Sequence, residues 1–239
     1  MLEIRDLNIF YGGAQVGRQI NMQVNEGAFV GLFGRNGSGK TSLFRAIMGL
    51  KPPTVQGGIA FKGREITGLP PFAIANAGIG WVPEDRKIFP NLTIQRNLQL
   101  GAKSAKYPSG RQKPFGLDDA YRFFPKLYGL RDNLGSQMSG GEQQMLTITR
   151  TMMGNPSLLL LDEPTEGLAP TTARDVINMV LEIRKNFNVT TIVVEQFSEH
   201  LLKYLDHCYV MEMGGVIFSD HPSVLLKDEA LQRKLLGVG

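Results

Sequence analysis

Apolar and polar residues alternate through Leu2, Ile4, Leu7 and Ile9 and again through Ile20, Met22 and Val24, the pattern of strands with one buried face. The run Ala28-Phe29-Val30-Gly31-Leu32-Phe33 has no polar member, as a strand covered on both faces requires. It leads into a glycine-rich turn and a helix predicted over about 41–48. Between 51 and 90, glycine and proline punctuate the chain, so loops and short strands are expected, with strand candidates at 59–61 and 79–82. From 92 to 153 the helical period dominates. It is broken at 103–116, where Lys103, Lys106, Arg111 and Lys113 stand with Pro108 and Pro114 and no acid, which predicts an exposed loop.

The alternation of strand and helix then resumes. Leu158 to Leu161 form an apolar run, and a helix over about 171–185 gathers Ala173, Ile177, Val180 and Leu181 on one face. A strand at 191–194, a helix near 198–204 and a strand at 209–211 follow. Beyond 221, Leu225, Leu226, Leu231, Leu235 and Leu236 predict one or two amphipathic helices that pack on the body. This rhythm implies an α/β fold with a mainly parallel sheet, an N-terminal antiparallel β portion, and ligands at the carboxyl ends of the strands. A single domain over 1–239 is expected, with a helical subdomain at about 92–153.

Composition narrows the function class. The net charge of +4 comes from 26 Lys and Arg against 22 Asp and Glu, spread without the basic clusters that nucleic acid demands, so no nucleic-acid partner is expected. Cys208 is a lone cysteine, and Glu3, Arg5 and Asp6 place charge where a secretory leader needs apolar residues. A reducing, cytoplasmic location is expected. The window 66–83 carries no charge, but Pro70, Pro71, Pro83, Gly68, Gly78 and Gly80 interrupt it, so no membrane-spanning segment is predicted.

Gly34-Arg35-Asn36-Gly37-Ser38-Gly39-Lys40-Thr41 fits G-x-x-x-x-G-K-[ST] between a buried strand and a helix. The glycines, with Asn36 and Ser38, let backbone N–H groups turn inward as an anion nest, and the helix N-terminus adds positive dipole. Lys40 is placed to reach the β and γ phosphates of ATP, Thr41 to ligate Mg²⁺, and Ser42 follows in the first helical turn. Asp162 and Glu163 end the apolar run of leucines, where acids that serve such a loop belong. Asp162 is the candidate to hold Mg²⁺, directly or through water. Glu163 is the candidate general base toward a water in line with the γ-phosphate, or a charge that simply ends the strand.

Ser139-Gly140-Gly141-Glu142 is a capping-box pattern that opens a helix predicted over about 140–152. Met138-Ser139-Gly140-Gly141-Glu142-Gln143-Gln144, upstream of Leu158 to Glu163, resembles the signature motif of ATP-binding cassette (ABC) proteins, and the resemblance covers essentially the whole chain. It implies the ABC ATPase fold and a dimer in which Ser139, Gly140, Gly141 and Glu142 of one subunit face the nucleotide held by another. It also matches Tyr11 to the aromatic that stacks on adenine, Glu84 to a lid position that contacts Mg²⁺, and Gln196 to the switch position near the γ-phosphate. Three residues depart from the common pattern: Glu84 stands for Gln, Ala169 for Asp and Gln196 for His. With Glu-Gly-Leu-Ala-Pro after the turn and Val-Glu-Gln before Phe197, they resemble the branch that serves branched-chain amino acid importers and their urea and amide relatives.

That resemblance implies an ATPase on the cytoplasmic face of a membrane. Its implied partners are a second cassette (related or identical), two permease subunits and a separate substrate-binding protein. Phe89, Pro90 and Leu92 are the candidate contacts to the membrane partner. Because Gln196 cannot carry a proton as histidine does, hydrolysis is expected to lack a histidine-type rate change between about pH 6 and 7. A GTPase lacks support, since the chain has no N-K-x-D base reader. The alternative functions are an ATP-binding regulatory or structural module that hydrolyses poorly, and import of urea or short amides.

Overall fold

The computed structural model describes residues 1–102, 114–196 and 199–236. The two alternating segments form β1 (Leu2–Tyr11) and β2 (Ala14–Val24), antiparallel partners joined through Gly12 and Gly13. Leu2 and Ile4 share a face with Leu7 and Ile9 although the interval between Ile4 and Leu7 is odd. A register shift between Ile4 and Leu7, with Asp6 at φ 45°, absorbs the extra residue. Asn21 braces it, accepting from the Asp6 N–H at 2.9 Å and donating to the Asp6 carboxylate at 3.0 Å.

The apolar run becomes β3 (Phe29–Phe33), buried throughout, and the glycine-rich turn opens α1 (Lys40–Ile47). Next come β4 (Thr54–Phe61), β5 (Arg64–Glu65), α2 (Pro71–Ala77) and β6 (Ile79–Val82). The helical portion holds α3 (Ile94–Gly101), α4 (Leu117–Phe123), α5 (Pro125–Gly129), a 3₁₀ turn at Gly135–Gln137 and α6 (Gly140–Met153). Then follow β7 (Leu158–Asp162), α7 (Pro170–Phe187), β8 (Thr190–Glu195), α8 (Glu199–Leu202), β9 (His207–Glu212) and β10 (Gly215–Asp220). Helices α9 (Pro222–Lys227) and α10 (Glu229–Leu236) complete the described chain.

Strands β2-β1-β4-β5 form an antiparallel sheet, and β10-β9-β3-β8-β7-β6 a second sheet, parallel except at β10. Each strand of the second sheet feeds two cores. Along β7, Leu158 and Leu160 join Ile9, Ile20, Leu32 and Phe44 under the first sheet, while Leu159 and Leu161 join Leu146, Ile148, Val180 and Ile183 under α6 and α7. That two-sided burial is why the leucine run has no polar member. The sheets are stitched at the phosphate loop by Gly214, between β9 and β10. Its N–H donates to the Ser38 carbonyl at 3.1 Å, and its carbonyl accepts from the Arg18 N–H at 2.8 Å.

Three expectations are corrected. The region 51–90 contains a helix, α2, because its breakers act as caps: Pro71 occupies the first helical turn, and Gly78 at φ 109° closes the helix with its N–H on the Ala75 and Ile74 carbonyls. The expected exposed loop at 103–116 lies outside the described residues over 103–113, and its end is not exposed. Phe115 is buried against Phe187 and donates its N–H to Asn155 Oδ1 at 2.7 Å. The third is β10, an antiparallel edge strand where no strand was expected. Among the described residues no helix is long and apolar enough to cross a membrane.

Candidate active site

The residues 34–41 wrap the N-terminus of α1 at the carboxyl end of β3. Gly39 caps the helix at φ 103°, where a side chain would also press on the Val16 carbonyl, 2.9 Å from the site of a Cβ. Gly37, at φ 80°, has nothing within 4 Å where a Cβ would stand, so the loop's concave side stays open. A cavity of about 420 Å³ lies there, lined by Val16, Asn36 to Ser42, Glu84, Glu163 and Glu166. Lys40 is 4% exposed. Its ammonium donates to the Gly34 carbonyl at 2.7 Å and the Arg35 carbonyl at 3.3 Å, and lies 3.4 Å from Glu163 Oε1.

The ends of β7 and β8 bring acids to the same place. Thr41 Oγ1 donates to Asp162 Oδ1 at 3.1 Å. Burial pushes the Asp162 carboxyl up to about 6, against the Thr41 bond and aided by the charges of Glu163 and Glu84. Glu163, 9% exposed, has φ 43°, a backbone conformation side chains rarely adopt, and its N–H donates to the Val194 carbonyl at 3.0 Å. A hydrogen bond with Glu163, then burial, then the surrounding carboxylates push Glu166 up to about 7. Glu195, at the end of β8, is pushed up to about 7 by burial, while its bonds from Thr165 oppose the shift.

The oxygen donors suit Mg²⁺. Asp162 Oδ2 and Ser38 Oγ are buried and have no hydrogen-bond partner among the described residues. Thr41 and Glu84 supply further oxygens at the same cavity. Among the described residues no group of three or more acids, histidines or cysteines forms a cage, so the cation's remaining ligands would come from phosphate and water.

The other predicted residues sit apart from this cavity. Tyr11, half-buried at the tip of β1, reaches it only through Ser42, whose hydroxyl donates to Tyr11 Oη at 3.4 Å. Gln196, one residue beyond β8, is exposed and does not line it. The capping box forms as predicted: Glu142 Oε2 accepts from Ser139 N–H at 2.9 Å and Oγ at 2.8 Å. Ser139, Gly140, Gly141 and Glu142 line a separate cavity of about 280 Å³ with Gly167, Leu168 and Ala169. The turn 163–169 therefore walls both cavities, Glu163 and Glu166 on one side and Gly167 to Ala169 on the other. A larger cavity of about 660 Å³, walled by Phe123, Phe124, Met145 and Met179, shares Lys126, Met145 and Asp175 with the signature cavity and none of its walls with the phosphate cavity.

Sequence reasoning placed Glu195 in a motif without assigning it a role, and missed Arg86 and Val16. Arg86, at φ 63°, donates to the Glu166 carbonyl at 3.4 Å, and its own carbonyl accepts from Thr147 Oγ1 at 2.7 Å. No spacing rule joins these residues, since their neighbours come from distant segments.

A glycine-rich loop closing on a helix N-terminus, with a buried lysine and an acid pair at the end of a parallel strand one strand removed in the same sheet, defines a P-loop nucleotide-hydrolysing protein. The chain belongs to the ABC transporter family, whose model matches residues 18–166, more than half of its length. It is 35% identical, over 99% of this chain and 100% of the relative, to the high-affinity branched-chain amino acid transport ATP-binding protein BraG of Pseudomonas aeruginosa. It is 30% identical, over 99% of this chain and 97% of the relative, to the lipopolysaccharide export system ATP-binding protein LptB of Escherichia coli. Among solved structures, a nucleotide-free ATP-binding cassette from an ABC transporter superposes with a TM-score of 0.81 at 26% identity, covering 100% of this chain and 99% of that one. The ADP conformation of such a cassette gives 0.80 at 26% identity, covering 99% and 97%. Members of this family are ATP-hydrolysing transporter subunits that dimerise and work with permease subunits. The fold is the expected ABC ATPase fold.

Proposed function

We propose that this chain is the ATP-hydrolysing subunit of an importer for branched-chain or other hydrophobic amino acids. The observation that carries the reading is the full-length likeness to BraG, together with the Glu84, Ala169 and Gln196 departures. The likeness to LptB favours a second reading, export of a lipid-linked substrate, over the same machinery.

In this reading Gly34, Asn36, Gly37, Ser38 and Gly39 cradle the phosphates of ATP, Lys40 neutralises them, and Ser42 and Tyr11 extend the contact toward the base. Thr41, Glu84 and Asp162 hold Mg²⁺, which when bound offsets phosphate charge. Glu163 accepts the proton of the water that attacks the γ-phosphorus. Gln196 reaches the γ-phosphate as a donor once the pair has closed. The signature residues Ser139 to Glu142, which border a cavity apart from Lys40, face the nucleotide of a second cassette. That second cassette is this chain or a related one, seated with two permease subunits at the cytoplasmic face of a membrane and supplied by a separate substrate-binding protein.

The docking face for the permease is taken to be Phe89, Pro90 and Leu92, of which Phe89 alone also lines a cleft of about 460 Å³ with Met48, Ala75, Trp81, Leu100 and Arg150. Phe89, 48% exposed, stands under the Arg150 guanidinium at 5.1 Å; Pro90 is exposed, and Leu92 is half-buried.

Glu163→Gln tests the site reading. Hydrolysis is expected to fall by at least about a hundredfold while ATP binding persists. Light scattering of that variant with Mg-ATP is expected to show a dimer. Bound ATP without a mass shift points to a different cassette as partner or to a need for the membrane subunits first, and failure of folded protein to bind ATP overturns the reading. Amino-acid uptake by the assembled transporter, against lipid export, decides the substrate.

A further inference from the structure

The turn that follows β7 begins in an unfavourable backbone conformation. Glu163 takes φ 43°, a left-handed geometry that a non-glycine residue holds only when its surroundings over-determine it. Part of the support is internal: the Glu166 N–H donates to the Glu163 carbonyl at 3.1 Å and the Leu168 N–H to the Thr165 carbonyl at 3.2 Å. The rest comes from β8. Its Val194 carbonyl takes the Glu163 N–H at 3.0 Å, and the next side chain, Glu195, accepts from Thr165 twice. Glu195 Oε1 receives Thr165 Oγ1 at 2.8 Å and Thr165 N–H at 3.3 Å.

Glu195 is 8% exposed, and no ion pair under 4 Å is found for it among the described residues. A buried carboxyl group is costly unless its oxygens are hydrogen-bonded. What it does here is span the gap between two parallel strand ends and seize both the N–H and the hydroxyl of one residue. Position 195 also immediately precedes Gln196, so the residue that fixes the turn fixes the root of the proposed switch position as well.

We propose that Glu195 is a positioning residue for hydrolysis: by clamping Thr165 it holds Glu163 beside Lys40 and sets the wall shared by the phosphate and signature cavities. This rests on the reading of Glu163 as the hydrolytic base. The clamp acts on the acid side of the phosphate cavity and makes no bond to the backbone of the phosphate loop, which is tied to Gly214 and α1. Its loss is therefore felt in kcat rather than in the affinity for ATP.

The test is steady-state ATP hydrolysis by the full-length chain, with ATP affinity measured separately by titration and folding followed by thermal melting. Glu195→Leu is expected to lower kcat by about 10- to 100-fold with KM and ATP affinity changed less than about threefold. Glu195→Gln, whose amide oxygen still accepts from Thr165, is expected to recover kcat to within about threefold of the parent. Thr165→Val removes the hydroxyl from the other side without touching β8. It is expected to lower kcat in the same direction, and combined with Glu195→Leu to cost little more than either alone. The proposal is overturned if Glu195→Leu, or Thr165→Val should the former not fold, keeps the parent kcat, if ATP affinity falls in step with kcat, or if Glu195→Gln is as impaired as Glu195→Leu. Glu163→Gln run in parallel separates the two failures: an active Glu163→Gln sinks the site reading, whereas an inactive one beside a fully active Glu195→Leu sinks the clamp alone.

Discussion

At the scale of residues, one buried lysine faces an excess of carboxylates. Lys40 meets Glu163 directly, with Glu84 and Glu166 around the same cavity and Asp162 buried behind Thr41. The members that a contiguous motif spells, residues 34–41 with Asp162 and Glu163, were legible because backbone nests and strand ends need fixed residue types at fixed spacing. Glu195 had no legible role, since its meaning depends on Thr165, thirty residues earlier in the chain, lying across a strand end. Its burial has a consequence for stability. A glutamate at 4.5 when unfolded and about 7 when folded binds more protons folded, so its contribution is full below about pH 4.5 and is lost as pH rises toward 7. The groups that face it are Thr165, Glu163 and Lys40. With a ceiling of about 3 kcal/mol, the nucleotide-free protein is expected to lose stability relative to Glu195→Gln between pH 5 and 7.5. Denaturant titrations giving parallel pH profiles for the two proteins would contradict that sign.

At the scale of elements, the long amphipathic helices and the apolar strands were legible, and in the punctuated region the strands at 59–61 and 79–82 were expected while the helix between them was not. Helices α6 and α7 carry their period over enough residues to outweigh local exceptions, β7 shows as an unbroken apolar run, and the capping box fixed the start of α6. Helix α2 was hidden because its Pro71 and Gly78 resemble loop residues until their positions at a first turn and a C-cap are known. The second half of the segment between β6 and α3 is held by a side chain with no sequence signal, Asn97, while Thr147 and Arg150 hold the Arg86 and Lys87 carbonyls of the first half. Fully buried, Asn97 donates to the Phe89, Leu92 and Thr93 carbonyls at 3.0, 3.2 and 3.1 Å and accepts from the Phe89 N–H at 2.9 Å. Asn97→Ala leaves those groups short of partners, so a loss of about 1–3 kcal/mol is expected in chemical denaturation. Nucleotide binding should be retained, because Asn97 touches none of residues 34–41; a change under about 0.5 kcal/mol would show that water replaces the side chain.

At the scale of the whole molecule, two cores share one sheet, and the helical portion hangs on the second of them. The cleft around Phe89 lies where that portion meets β6, so a partner seated there would register movement between the two. Phe89→Ala removes a ring that is already half in solvent, at an expected cost below about 1.5 kcal/mol. In the assembled transporter it should reduce transport while ATP binding persists; a variant that fails to fold would instead assign the ring to packing. The stitch at Gly214 has a different reach. Because the Ser38 carbonyl hangs from Gly214, and Gly214 in turn holds Arg18 of β2, the loop's shape is fixed by folding rather than by its ligand. The entropy of ordering that loop is therefore spent once, when the chain folds, and is not charged again at each binding event. Whatever free energy phosphate oxygens contribute at residues 34–41 is then returned to both sheets together, as resistance of the whole chain to unfolding.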